Sequence, residues 1–211
     1  MNSIPKMPAP ARNPIKWQLL EMAPSTGDYS TLVVKTTHET DRHFAAQYAF
    51  AAERLGNTFD SKSEDDMILL PFLTLYRQAY ELALKSWLAD LARWRRKCID
   101  SSNPAFNPTA VQERIRKNHG HNFHKLLTEI REHYDALGLG EPFPQDLADL
   151  INAWHQTDKP GTSFRYASVN QPTEITRINF PALAEMLHVG IHQLWAVEDW
   201  VDYCMDAIPE S

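Results

Sequence analysis

Apolar residues recur at helical spacing along most of the chain beyond residue 38. The clearest run is Leu183, Leu187, Ile191, Leu194, Val197, Val201, Cys204 and Ile208, which steps by three and four. Asn179 stands where an N-cap belongs, with Pro181 in the first turn. A second long helix is predicted from Ser63 to about Lys97. Ser63 is placed to cap it, with Asp66 three residues on. Pro71 lies too deep for the first turn of such a helix, so it marks either a kink or a later start. Between these runs the pattern predicts a helix over about 39–55, capped by Thr37 or His38, with Phe44, Tyr48, Ala51 and Ala52 inward and Gly56-Asn57 as its stop. A Ser/Asn/Pro-rich loop over 99–108 precedes a short helix over about 109–118, which Gly120 breaks. Asn122 restarts the pattern as far as Leu137, with Phe123, Leu126, Leu127 and Ile130 inward and Gly138 and Gly140 as terminators. Pro144 opens another helix over 145–157, with Leu147, Leu150, Ile151 and Trp154 on one face. The period shortens to two over 163–178, which predicts a small β-hairpin. The proline-rich residues 1–36 read as an extended arm that docks on the body, with 31–36 as a short extended segment. The expected architecture is therefore an all-α bundle of five to six helices with one hairpin and an arm. Residues 37–211 form its single domain.

Composition narrows this further. The chain has 211 residues and only 7 glycines, which disfavours glycine-rich barrels and dinucleotide-binding folds. No stretch of about 18 apolar residues occurs, so no membrane span is expected and the cytoplasm is the expected location. Cys98 and Cys204 read as two buried free thiols. The net charge is −6, yet residues 93–125 hold eight Lys and Arg against Asp100 and Glu113. That local excess is a signal for a polyanion or an acidic partner. Its densest part is Arg93, Trp94, Arg95, Arg96 and Lys97, with Lys117 further on. Because this run surrounds its helix, it is expected to protrude beyond the packed body. Trp94 then becomes a candidate for stacking on bases. The competing reading is that these cations answer the dipole at a helix C-terminus.

Some polar residues interrupt the apolar stripes. At about 100° per residue, Arg77 and Glu81 fall within the stripe of Leu70, Leu73, Leu84, Leu88 and Leu91, and Lys85 lies at its edge. Their four-residue spacing suits an ion-pair ladder. Such a ladder either sets the register of the bundle or forms a site between helices. His119, His121 and His124 lie within six residues, but four tetrahedral ligands are not supplied, so no metal is expected. His121 and Asn122 suit a helix start. His188 and His192 suit a solvated face. The chain has no P-loop, GxGxxG, GxSxG or HExxH motif, and no cofactor is expected.

Three segments, in order, carry a resemblance: Leu75 to Lys85 (LYRQAYELALK), Gly120 to Leu127 (GHNFHKLL), and Phe164-Arg165-Tyr166. Together they resemble the HEPN superfamily of nucleotide-binding helical proteins. Its members carry an ELxLK-like helix, a GHDLxxL-like helix start and an RYP-like segment. Here Asn122, Phe123 and Ala167 replace the usual Asp, Leu and Pro. The resemblance covers roughly residues 65–205. It implies a helical bundle, often dimeric, of the kind found in toxin–antitoxin and phage-defence systems. It also implies a module that binds RNA, a nucleotide or a protein partner, with Arg77, Glu81, Lys85, Asn122, Arg165 and Tyr166 as ligand-site candidates. Many members are metal-independent RNases with an Arg-x4–6-His motif, and Arg116 to His121 fits Arg-x4-His. The alternative reading is thus an endoribonuclease. In it Arg116 offsets charge on the phosphate and His121 moves the proton of the 2′-hydroxyl. Trp195 and Trp200 lie off the leucine seam of the last helix, and are the expected neighbourhood of a homodimer interface.

Overall fold

The computed structural model describes residues 39–161, 164 and 177–207. Among these residues the structure is all-helical. The six helices are α1 (Asp41–Gly56), α2 (Leu69–Cys98), α3 (Pro108–Arg114), α4 (Phe123–Leu137), α5 (Gln145–Thr157) and α6 (Phe180–Asp206). The expected arm, most of the expected hairpin, and the candidates Arg165 and Tyr166 lie outside the described residues.

Helix α2 is the axis of the bundle. It packs against α1, α3, α4 and α6, while α5 lies on α4 and α6. Because α2 is covered from several directions, its buried residues are not confined to one stripe. Phe72, Tyr76, Ala79, Tyr80, Leu84, Trp87, Leu88 and Leu91 are all buried. Its start settles the question raised by Pro71. A 3-10 turn over Ser63–Ile68 precedes the true helix, which begins at Leu69. Pro71 then falls in the first turn, where a missing N–H costs nothing. Ser63 does not cap this region. The Asp65 carboxylate does so instead, accepting from the backbone N–H groups of Asp60 and Lys62 at 2.9 Å each.

Two other caps recur in the structure: Asn122 caps α4 by accepting from Lys125 N at 3.0 Å, and Asn179 caps α6 by accepting from Ala182 N at 3.2 Å. The cap of α1 is Thr40 and not Thr37 or His38, because the helix begins only at Asp41. Gly138 ends α4 in the left-handed region at φ 63°. Residues 115–119 do not continue α3 as an α-helix. They form a π turn closed by Gly120 N donating to Ile115 O at 2.9 Å, and Gly120 has φ 55°.

Three expectations are corrected. The inward face of α1 is Ala45, Ala49 and Ala52, while Phe44 and Tyr48 are 38% and 37% exposed. Alanines let α1 lie close to α2, whereas the aromatic pair would hold it away. The Arg93–Lys97 run does not protrude. Trp94 is buried, and its indole N–H donates to Asp202 Oδ1 on α6 at 2.7 Å. Cys98 and Cys204 are free, but Cys98 is exposed and Cys204 half-buried. No helix among the described residues is long and apolar enough to cross a membrane.

Candidate functional site

The ladder foreseen on α2 is buried and extends well beyond α2. Arg77 and Glu81 are each 2% exposed. The Arg77 guanidinium meets partners from three parts of the chain. Its Nη1 donates to Glu81 Oε2 at 3.3 Å, its Nη2 donates to the carbonyl of His121 at 2.6 Å, and its Nε lies 3.5 Å from Asp158 Oδ2. It also sits 3.5 Å from the centroid of the Phe123 ring. Two acids, a carbonyl and an aromatic face thus replace the water that burial removed. Arg77 is committed to holding α2, α4 and the end of α5 together, and so serves the site as a scaffold.

Glu81 joins this scaffold to the surface. Lys85 Nζ donates to Glu81 Oε1 at 2.6 Å, one helical turn along. His121 Nδ1 lies 2.8 and 2.9 Å from the two carboxylate oxygens. Burial pushes the Glu81 carboxyl up, but hydrogen bonds and charge from Lys85 and His121 outweigh this and hold it below the usual carboxylate range. An ionised carboxylate only accepts, so Nδ1 of His121 carries the proton, and Nε2 of the neutral ring is left as an acceptor. The His121 side chain is 51% exposed and that of Lys85 18%. A buried acid therefore presents two basic groups side by side at the surface.

Further basic side chains lie nearby. His124 and His155 stack with ring centroids 5.8 Å apart. Burial, then the charges of His124, Lys159 and Arg77, hold the His155 imidazole below its ordinary value. The loop after α5 closes against the site at Gly161, whose φ is +73°. A Cβ there would lie 2.6 Å from His121 Cβ and 3.0 Å from Arg77 Nη2.

The remaining candidates separate. Asn122 is the α4 cap beside the site. Arg116 is exposed on the π turn, and Lys117 pairs with Glu113 at 3.2 Å. The Arg93–Lys97 run folds onto the protein's own rings and acids. Arg93 donates to Asp90 at 3.1 Å, and Arg93 and Lys97 flank the Trp94 ring at 4.5 and 5.3 Å. Arg95 covers the Phe106 ring at 4.7 Å, and Arg96 is half-buried. The stacking role foreseen for Trp94 is lost to burial, and much of the local positive charge is answered internally.

Several participants were missed in the sequence. Asp158 and Gly161 join the site from the end of α5, with no local pattern to mark them. Glu129 on α4 gathers Arg114 Nη2 at 2.5 Å, His119 Nε2 at 2.5 Å and His133 Nε2 at 3.4 Å. Burial raises the Glu129 carboxyl, but hydrogen bonds from His133, Arg114 and His119 bring it well below the usual range. Arg114 and His119 repeat the Arg-x4-His spacing, a signal that was available. Arg114 Nε and Nη2 and His119 Nε2 are turned to Glu129, which ties the π turn to α4, while Arg114 Nη1 donates to the Ala105 carbonyl at 3.1 Å. Among the described residues, no group of three or more His, Cys, Asp or Glu is arranged to hold a metal ion.

Comparison with models of known protein families, with characterised proteins and with solved structures yields no match. What the fold and site define is an all-α bundle with a buried ion-pair scaffold and a histidine–lysine edge.

Proposed function

We propose that this chain is a HEPN-like module that binds a phosphate-bearing ligand, RNA or a nucleotide. It would act as a cytoplasmic homodimer in a defence or toxin–antitoxin setting. One observation carries the reading: buried Glu81 holds Lys85 and His121 side by side at an exposed edge. Lys85 supplies N–H donors suited to a phosphate oxygen, and the half-exposed His121 ring flanks them. The partial burial of Lys85 strengthens its field relative to a lysine in open water. Asn122 and Arg116 stand on the segments flanking His121 and would extend the contact, with Lys117 steering the approach.

The test is a titration of the chain with fluorescent single-stranded RNA and, separately, with ATP, across a salt series. Binding that weakens linearly on a log–log scale is expected. Lys85→Ala should reduce both affinity and slope. Absence of binding to either probe at about 50 mM salt would overturn the reading.

The endoribonuclease alternative is favoured by a separate observation. His121 has Nδ1 held by a carboxylate and Nε2 open, the orientation a general base needs. In that reaction Nε2 takes the proton of a 2′-hydroxyl and the 2′-oxygen attacks the adjacent phosphorus. The 5′-oxygen departs and takes a proton from water, leaving a 2′,3′-cyclic phosphate, while Arg116 offsets charge on the phosphate and the His121 ring returns its proton to the hydroxide so formed. RNA cleavage in the presence of a chelator, lost in a folded His121→Ala variant that still binds RNA, would favour this over binding without turnover.

A further inference from the structure

A cavity of about 420 Å³ lies at the junction of α1, α2 and α6, and its lining does not include the ladder. Its wall is aromatic. The Phe72 ring meets Tyr76 and Phe180 edge-on at centroid distances of 5.0 and 4.9 Å, and Phe59 lies 4.9 Å from Phe180. The charged and titratable groups of the lining, besides Tyr76, are Glu53 from α1 and Glu185 and His188 from α6. Among the described residues, no lysine or arginine lines the cavity. Tyr76 is 1% exposed, and its hydroxyl lies 3.4 Å from His188 Nδ1. His188 Nε2 lies 3.8 Å from Glu53 Oε1.

This lining suits one class of ligand. An anion would face two carboxylates, and a purely apolar ligand would leave them without partners as it closed over them. A cation gains from both the aromatic rings and the acids. The Tyr76 hydroxyl reports the same potential: burial, then the charges of Glu53 and Glu185, push it up to about 12. The size falls within the range of sites that take a small molecule, about 300–1,000 Å³.

We infer that this cavity binds a small organic cation, an alkylammonium or alkylguanidinium group, through the carboxylates of Glu53 and Glu185 and the half-buried ring of Phe59 beside Phe180. The group arrives either on a free amine or on a lysine or arginine side chain of a peptide. The site is independent of the Glu81–His121 edge, and binding here neither needs nor excludes a phosphate ligand there.

The experiment is calorimetry on the full chain with putrescine, agmatine and choline as free cations, and with N-acetyl-lysine amide and N-acetyl-arginine amide as side-chain mimics. Saturable binding of at least one probe is expected, and the tighter set identifies the source. The Glu53→Gln/Glu185→Gln double variant removes both charges, at one half-buried and one exposed position. It should keep the parent's melting temperature and bind about tenfold more weakly, the factor for a loss near 1.4 kcal/mol. His188→Gln should retain binding, because both carboxylates remain. No saturation by any probe up to about 10 mM, a Kd limit worth under about 3 kcal/mol, would overturn the inference. So would affinity unchanged in the double variant.

Discussion

Replacing Glu81 by alanine removes one acceptor from three partners at once. Arg77 loses its 3.3 Å contact, Lys85 its 2.6 Å contact, and His121 both of its contacts. The consequences differ by burial. Lys85 is exposed enough to turn to water, which limits its share to about 1 kcal/mol. His121 does the same at similar cost. Arg77 cannot follow, because it is 2% exposed, though it keeps Asp158 at 3.5 Å, the His121 carbonyl and the Phe123 ring. Breaking a buried pair from one side costs about 3–5 kcal/mol, and the remaining acid Asp158 places Glu81→Ala toward the lower end. For a chain of this size, about 3 kcal/mol lowers the melting temperature by about 6–12 °C. Glu81→Gln preserves the volume but not the charge, so it should fall between the parent and the alanine variant. Thermal melts followed by far-UV circular dichroism at neutral pH read both. Melts within about one degree of the parent for both variants, below the shift for even 1 kcal/mol, would refute the buried-scaffold argument. The same ladder has a signature in pH. Because the folded Glu81 carboxyl is held below its unfolded value, its stabilisation is full above about pH 4.3. It is lost as pH falls through the folded value, and Glu81→Gln should remove that part of the acid transition.

Glu198, 1% exposed on α6, should behave in the opposite sense. Burial, opposed by Arg42 and reinforced by Asp90, Asp202 and Asp199, pushes its carboxyl up to about 7. The fold then binds more protons than the unfolded chain between about pH 4.3 and the folded value. Stability should fall as pH rises through that window and level off above it. Glu198→Gln should flatten this slope and gain about 3 kcal/mol at pH 8 in urea unfolding, since Arg42 keeps its pair with Asp199; an unchanged slope would count against it. Gly161→Ala should lower the melting temperature and weaken any ligand held at His121, because both the positive φ and the 2.6 Å approach to His121 Cβ oppose a side chain; a neutral variant would show that the loop moves freely away. Light scattering at micromolar concentration should give twice 24.2 kDa if the proposed homodimer forms, and a monomer mass rejects it.

The elements legible in the sequence are those decided within a few residues. Asn122, Asn179 and Pro181 mark helix starts because a cap is a contact between near neighbours, and Gly138 marks an end because only its own φ matters. The Arg77–Glu81–Lys85 ladder was legible for the same reason, since four residues make one helical turn and bring these groups together wherever the helix lies. Sequence did not decide whether that turn would be buried, because burial depends on what covers it. Glu81 became an anchor only when the start of α4 brought His121 to it from 40 positions away and the end of α5 brought Asp158 to Arg77. Trp94 shows the same division. Its place among arginines suggested an exposed stacking surface, but α6 covers it and Asp202 takes its N–H across 108 positions. On α1 the helical period was right and the inward face wrong by about one residue. A period follows from backbone geometry alone, whereas the face that turns inward is chosen by how closely the neighbouring helix can approach, and here three alanines allowed the closer fit.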